Sequence, residues 1–253
     1  MPYVLVSASD RVATITLNDP ARRNAINLAL NDELIAAIEE IEGRDDIGAI
    51  VLTGTPPAFC AGADLEDLKN SRHRESLGKI YAGFLRLAHT SLPTVAAVNG
   101  AAVGAGMNMA LACDVILAAR SARFDTRFMQ IGIHPGGGHT WRLRRITDHQ
   151  TVMAMVLFGE AVDGRRAAEI GLAWRCVDDA DLHGAATALA ARAAAFPREL
   201  TKRTKSTIQQ LQGLDTSDEA VAHELDPQAW SMDQPPFMEL VTKLQQQISR
   251  DKK

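Results

Sequence analysis

"LPTVAAVNGAAVGAGMNM" runs from Leu92 to Met109. The short apolar run in "LPTVAAVNG" reads as a buried-type strand that opens onto a glycine turn. Met107–Ala112 reads as a helix. A dinucleotide fingerprint needs G-x-G-x-x-G between such a strand and helix. Gly104 and Gly106 supply the first two glycines, but the third falls at Met109. No Gly-Lys-Ser/Thr follows, so the phosphate-loop pattern is absent as well. What remains is strand, glycine turn, helix. The first N–H groups of a helix lack intrahelical partners and can bind an anion or a developing oxyanion. A tight connection, with glycines for close packing, accounts for the same residues.

A second stretch poses the same choice. The strand-like "AIVLTG" (Ala49–Gly54) leads into "PPAFCAGADLEDL" (Pro56–Leu68), a run of small residues around one glycine. Asp64, with Asp67 three residues on, reads as an N-cap with an acidic partner at the third helical position. Such a cap leaves backbone N–H groups near Ala63 facing outward. Two turns of this kind can aim two N–H groups at one oxygen. An oxyanion hole of that sort needs small residues for access rather than special side chains.

Outward from these turns, Tyr3–Ser7 and Val12–Leu17 read as a hairpin around "SASDR". Asn18–Asn27, "NDPARRNAIN", reads as a loop. Leu30, Leu34, Ile38 and Ile41 recur at helical spacing. Ile80–Leu92 reads as a further helix, "DVILAA" (Asp114–Ala119) as a third buried-type strand, and "GIHPGGGHT" (Gly132–Thr140) as a loop. The rest reads as mostly helical. Strands alternate with helices over the first two-thirds, which implies an α/β fold. The division expected is a core over residues 1–195 and a helical region over 196–253.

Bulk properties narrow the function classes. With 253 residues, the chain can bury a substantial core. A net charge of −4 argues against a nucleic-acid or anionic-membrane surface. Cys60, Cys113 and Cys176 are far apart, lack zinc-site spacing and suit reduced thiols. The first ten residues carry no signal-peptide pattern, and no apolar run is long enough to span a bilayer. The expectation is a cytoplasmic protein with no metal, no nucleic-acid partner and no membrane insertion.

Taken together, "PARRNAIN", "AIVLTG", "AFCAGADL", "LPTVAAVNGAAVGAG", "MALACDVILAA" and "GRRAAEIGL" resemble the enoyl-CoA hydratase/isomerase (crotonase) family. The resemblance spans about Asn18 to Val177. It implies a spiral of ββα units followed by a C-terminal helical trimerisation region, with trimers that commonly pair into hexamers. It also implies an acyl-CoA thioester as ligand and a thioester enolate held in an oxyanion hole. Coenzyme A belongs to the substrate, so no separate cofactor is implied. Carried over by position, the backbone N–H groups of Ala63 and Ala105 are the two donors. Ala63, Asp64, Leu65 and Glu66 line the CoA side, and Arg23 and Ala25 lie near the adenosine and phosphates.

The chain departs from the family where proton transfer is done. Family members that hydrate enoyl-CoA use two glutamates, and an ungapped alignment puts Asn108 and Phe128 at those positions. Asn108 follows Ala105 by three residues, so its side chain returns near the hole on a helix. An amide can position a water or a carbonyl there but does not take a proton at neutral pH. Phe128 does neither and dries the acyl site. The loop "GIHPGGGHT" offers no acid. It offers His134, whose unperturbed pKa of about 6.5 suits a general base, and His139 near a helix start. Asp125 reads as a salt-bridge partner of Arg123 or Arg127, and Cys60 as a small buried residue. Three readings follow: an enolate-forming enzyme with Asn108 as positioner and His134 as base, a non-catalytic acyl-CoA binder, and a dinucleotide-dependent oxidoreductase disfavoured by the failed fingerprint.

Overall fold

The computed structural model describes every residue except Arg72, Gln212 and 251–253. Strands β1 (Val4–Ser9) and β2 (Val12–Leu17) form the hairpin. They pair antiparallel across the two-residue turn Asp10–Arg11, with φ of 51° and 64°. Two successive positive φ values give the turn a twist that matches the flanking strands.

Chain order then alternates between two sheets. Strands β3 (Ala49–Gly54), β5 (Thr94–Val98) and β7 (Val115–Ala119) enter the larger sheet. Each is followed within a few residues by a short strand of the smaller one: β4 (Ala58–Cys60), β6 (Ala101–Val103) and β8 (Arg123–Asp125). Helices close each turn: α1 (Leu28–Glu42) precedes β3, α2 (Leu65–Asn70) and α3 (Arg74–Ala88) follow β4, and α4 (Ala105–Leu111) follows β6. After β8 come α5 (His139–Ile146) and α6 (His149–Val156). This is a spiral of ββα units. β9 (Val162–Asp163) closes the smaller sheet and β10 (Arg175–Val177) the larger, separated by α7 (Gly164–Glu169) and followed by α8 (Leu182–Ala194). The larger sheet runs β1-β2-β3-β5-β7-β10, parallel from β2 onward. Burial on both faces of parallel strands explains the unbroken apolar runs of β3 and β5.

The periodicity of Leu30, Leu34, Ile38 and Ile41 is realised: all four are buried along α1, and Asn27 caps the helix by accepting from the Leu30 N–H at 2.8 Å. One expectation shifts. The helix expected over Ile80–Leu92 is α3, which starts six residues earlier and stops at Ala88. Its buried residues begin only at Ile80, so the polar first turns carry no apolar signal. The strands of the smaller sheet and β10 are three residues or fewer. Runs that short cannot show an alternating period.

Contacts divide the chain into two compact units, Met1–Ala195 and a second beginning at Phe196. The second contains α9 (Arg198–Leu211), α10 (Ser217–Met232) and α11 (Pro235–Arg250). The Arg203 guanidinium of α9 lies 4.0 Å from the ring centroid of Trp230 on α10. None of the described residues of these three helices is fully buried.

Candidate active site

The site is built where β4 and β6 end side by side in the smaller sheet. Their parallel pairing sets Ala58 beside Ala101 and Cys60 beside Ala102. The turns that follow are therefore neighbours. A Cβ on Gly62 would stand 2.9 Å from the Val103 carbonyl oxygen and 4.0 Å from the Ala105 nitrogen. A Cβ on Gly106 would stand 2.1 Å from the Cys60 carbonyl oxygen. Glycine at 62, where φ is +108°, and at 106 lets the two backbones touch.

The loop before α1 fixes the outer side of the first turn. Ile26 donates its N–H to the Gly62 carbonyl at 2.7 Å and accepts from the Asp64 N–H at 2.8 Å. In that parallel bridge the N–H of Ala63 faces away from Ile26. Asn24, fully buried, holds the loop in place: its amide nitrogen donates to the carbonyls of Thr55, Ala58 and Phe59. Arg23 is exposed, and its carbonyl accepts from the Ala61 N–H at 3.0 Å. Ala25 is half-buried beside Ile26. Asp64 is the cap of α2, accepting from the N–H groups of Glu66 and Asp67 at 2.9 and 3.2 Å, and its carboxylate lies 3.8 Å from Arg22. Leu65 and Glu66 are exposed on the first turn of α2. Cys60 is buried, and burial pushes its thiol up to about 12, against a smaller opposing effect of a hydrogen bond from the Gly62 backbone.

Asn108 is buried on α4, one turn after Ala105. Its amide nitrogen donates to the Gly136 carbonyl at 3.0 Å, which turns its oxygen toward Nδ1 of His139 at 2.8 Å. An acceptor facing Nδ1 requires that Nδ1 carry the proton. Nε2 is then an unprotonated acceptor, and it is buried with no hydrogen-bond partner among the described residues. Phe128 is buried and meets the His139 ring edge-on, with centroids 4.9 Å apart. Burial, helped by the charge of Arg142, lowers the His139 pKa to about 4. Arg142 donates to the Gly137 carbonyl at 2.6 Å, and burial lowers its own pKa.

The structure separates the two histidines of this loop. The histidine brought against Asn108 is His139. His134 is exposed, with its Nδ1 2.7 Å from the neighbouring Pro135 carbonyl. The cause lies in the loop: Gly137 and Gly138, with φ of 67° and 79°, reverse the chain after His134 and start α5 at His139. A further residue carried no sequence signal. Tyr81 on α3 is half-buried, and its hydroxyl would lie 2.3 Å from a Cβ on Gly136. Asp125, also buried, pairs with Arg127 and lies 3.6 Å from Arg123. Among the described residues, no three His, Cys, Asp or Glu side chains are grouped to hold a metal ion.

Comparison with known proteins agrees with this architecture. A family model described as enoyl-CoA hydratase/isomerase matches residues 7–234. The chain is 45% identical over 242 residues to "Probable enoyl-CoA hydratase EchA14" of Mycobacterium tuberculosis, covering 92% of this chain and 94% of that one. It is 36% identical over 204 residues to the 1,2-epoxyphenylacetyl-CoA isomerase of Escherichia coli, covering 78% of each. The crystal structure of an enoyl-CoA hydratase from Bacillus anthracis superposes with a TM-score of 0.91 at 25% identity, over 97% of this chain and 96% of that one. A spiral of ββα units, two apposed small-residue turns and a family match over most of the length lead to one assignment: the chain belongs to the enoyl-CoA hydratase/isomerase family.

Proposed function

We propose that the protein binds acyl-CoA or enoyl-CoA thioesters and stabilises a thioester enolate between the N–H groups of Ala63 and Ala105, as a lyase or isomerase of fatty-acid or related acyl-CoA metabolism. The observation that carries this reading is the apposition of the two turns, seen in the 4.0 Å from a Gly62 Cβ to the Ala105 nitrogen. In such a hole the thioester oxygen accepts two backbone hydrogen bonds that strengthen as negative charge develops on it. The names of two relatives, an enoyl-CoA hydratase and an epoxyphenylacetyl-CoA isomerase, both specify CoA thioesters. Arg23, Ala25 and residues 63–66 flank the CoA side, Phe128 walls the acyl side, and Asn108 is the polar positioning residue of the site.

A second reading is a non-catalytic acyl-CoA binder. It is favoured by the amide of Asn108 and the phenyl ring of Phe128, which stand where the family resemblance places the two glutamates of hydration. Each general acid or base is worth about 10²–10⁴-fold in rate. The two readings separate on turnover. Purified protein is mixed with 2-enoyl-CoA substrates from short to long chain, and loss of the conjugated enoyl-thioester absorbance is followed. Rapid loss establishes turnover, by hydration or by deconjugation to the 3-enoyl isomer, and overturns the non-catalytic reading. No loss at any chain length, with thioester binding retained in calorimetry, leaves the binder or a different enolate reaction. No binding of any CoA thioester overturns both readings.

Self-association as a trimer, or as a hexamer of paired trimers, belongs to the same proposal. It is supported by the apolar residues that α10 and α11 leave exposed, among them Leu225, Leu240, Leu244 and Ile248. A cytoplasmic location is part of it as well. Among the described residues, no helix is long and apolar enough to cross a membrane.

A further inference from the structure

Leaving a buried acceptor without a partner is costly, so the bare Nε2 of His139 calls for a role. Its surroundings define one. Asn108 occupies the opposite nitrogen and fixes the tautomer, because its own amide is oriented by the Gly136 carbonyl. Phe128 holds the ring edge-on. Asn108 and Ala105 share the first turn of α4, so the amide that orients His139 of α5 and the Ala105 N–H are set by one helix. Tyr81, whose hydroxyl approaches Gly136, is a further titratable group of this wall, and Arg142 adds a cation.

We propose that His139, oriented by Asn108, is the proton-transferring residue of this site, with Nε2 as the atom that takes and returns the proton of a bound acyl-CoA thioester. The inference rests on the thioester reading above. Nε2 removes a proton from the carbon next to the thioester carbonyl. The C–H electron pair becomes the carbon–carbon double bond of the enolate, and the carbonyl pair moves to the oxygen held by the two N–H groups. The imidazolium then returns its proton to carbon, at the same position or at the far end of a conjugated system. No other reactant is consumed. A neutral imidazole is the form required at the start, and burial beside Arg142 keeps His139 neutral at pH 7. The enolate it creates carries the opposite charge and favours the imidazolium once formed. Asn108 is a positioning residue: it holds the proton on Nδ1 and the lone pair on Nε2.

The test is hydrogen exchange in D2O. 3-Hexenoyl-CoA is incubated with the full-length protein, and loss of the proton signal next to the thioester carbonyl is followed by NMR, with binding measured separately by calorimetry. The expected result is exchange by the wild type that falls at least 100-fold in His139→Gln, with thioester affinity within threefold. Nitrogen NMR of the wild type supplies a second readout independent of variant folding. His139 should show a proton on Nδ1 and none on Nε2, and the Nε2 resonance should move when the thioester binds. Exchange that survives in a folded His139→Gln, an Nε2 that ignores the thioester, or a wild type that binds without exchange would each overturn the proposal. Failure of the wild type to bind the thioester would overturn the thioester reading itself.

Discussion

Gly106 and Cys60 touch backbone to backbone: a methyl group on Gly106 would come within 2.1 Å of the Cys60 carbonyl oxygen. The contact welds the start of α4 to the end of β4, and both turns of the site hang from it. Neither backbone can yield alone, because β4 is also tied to β6 through Ala58 and Cys60. Replacement by alanine should therefore separate the two turns. Gly106→Ala is expected to cost about 1–3 kcal/mol of stability, the usual range for overpacking, and to weaken CoA-thioester binding more than tenfold. Denaturant melts and calorimetry check it. A folded variant of unchanged affinity would mean that the contact does not set the site.

Asn24 is the second fastening. Its single amide nitrogen reaches three carbonyls, and its oxygen accepts from the Asp19 N–H at 2.9 Å. Asn24→Ala would strand these groups away from water. The loss should be about 2–4 kcal/mol, several buried polar groups being left unpaired together. It would read out as a lower denaturation midpoint with an unchanged slope.

His139 makes stability depend on pH in a defined window. Its folded pKa, about 4, lies below the value of 6.5 for an unperturbed side chain. As pH falls through 6.5 the unfolded chain takes up the proton first, so acid favours unfolding. The contribution is intact above pH 6.5, declines as pH falls toward 4 and is flat below. Its full span is about 3 kcal/mol. Subtracting the stability curve of His139→Gln from that of the wild type should reveal this slope between pH 6.5 and 4. Parallel curves would show that the imidazole is not held neutral.

The second unit predicts association. Phe237, Val241, Leu244 and Ile248 follow helical spacing along α11, and Leu244 and Ile248 are 57% and 47% exposed. Leu244→Glu with Ile248→Glu should shift sedimentation from an oligomer toward the monomer and make the melting temperature independent of protein concentration. A wild type already monomeric at micromolar concentration would contradict the trimer.

The sequence made the long elements legible because their apolar period matches their burial. Leu30 to Ile41 read directly as one helix face, and β3 and β5 as strands covered on both sides. Asp64 was legible as a cap because the acidic residue three positions on is a local pattern. The smaller sheet was not, since β4, β6 and β8 hold three residues each and derive their order from neighbours far along the chain. The placement of the two histidines was hidden for a related reason. His134 and His139 lie five residues apart in one glycine loop, and only the left-handed turns at Gly137 and Gly138 decide which meets Asn108. Tyr81 had no motif at all, because its approach to Gly136 bridges 55 positions (136 minus 81).

The burial of Cys60 gives the site an internal clock. A thiol raised to about 12 and enclosed behind the first turn is almost wholly protonated at neutral pH and out of reach of thiol reagents. Cys176 is only half-buried, so reagents reach it more readily, although burial raises its thiol as well. Slow labelling of Cys60, told apart by peptide mass from that of the likewise buried Cys113, therefore counts how often the joined turns come apart, and a ligand that clamps them lengthens the interval.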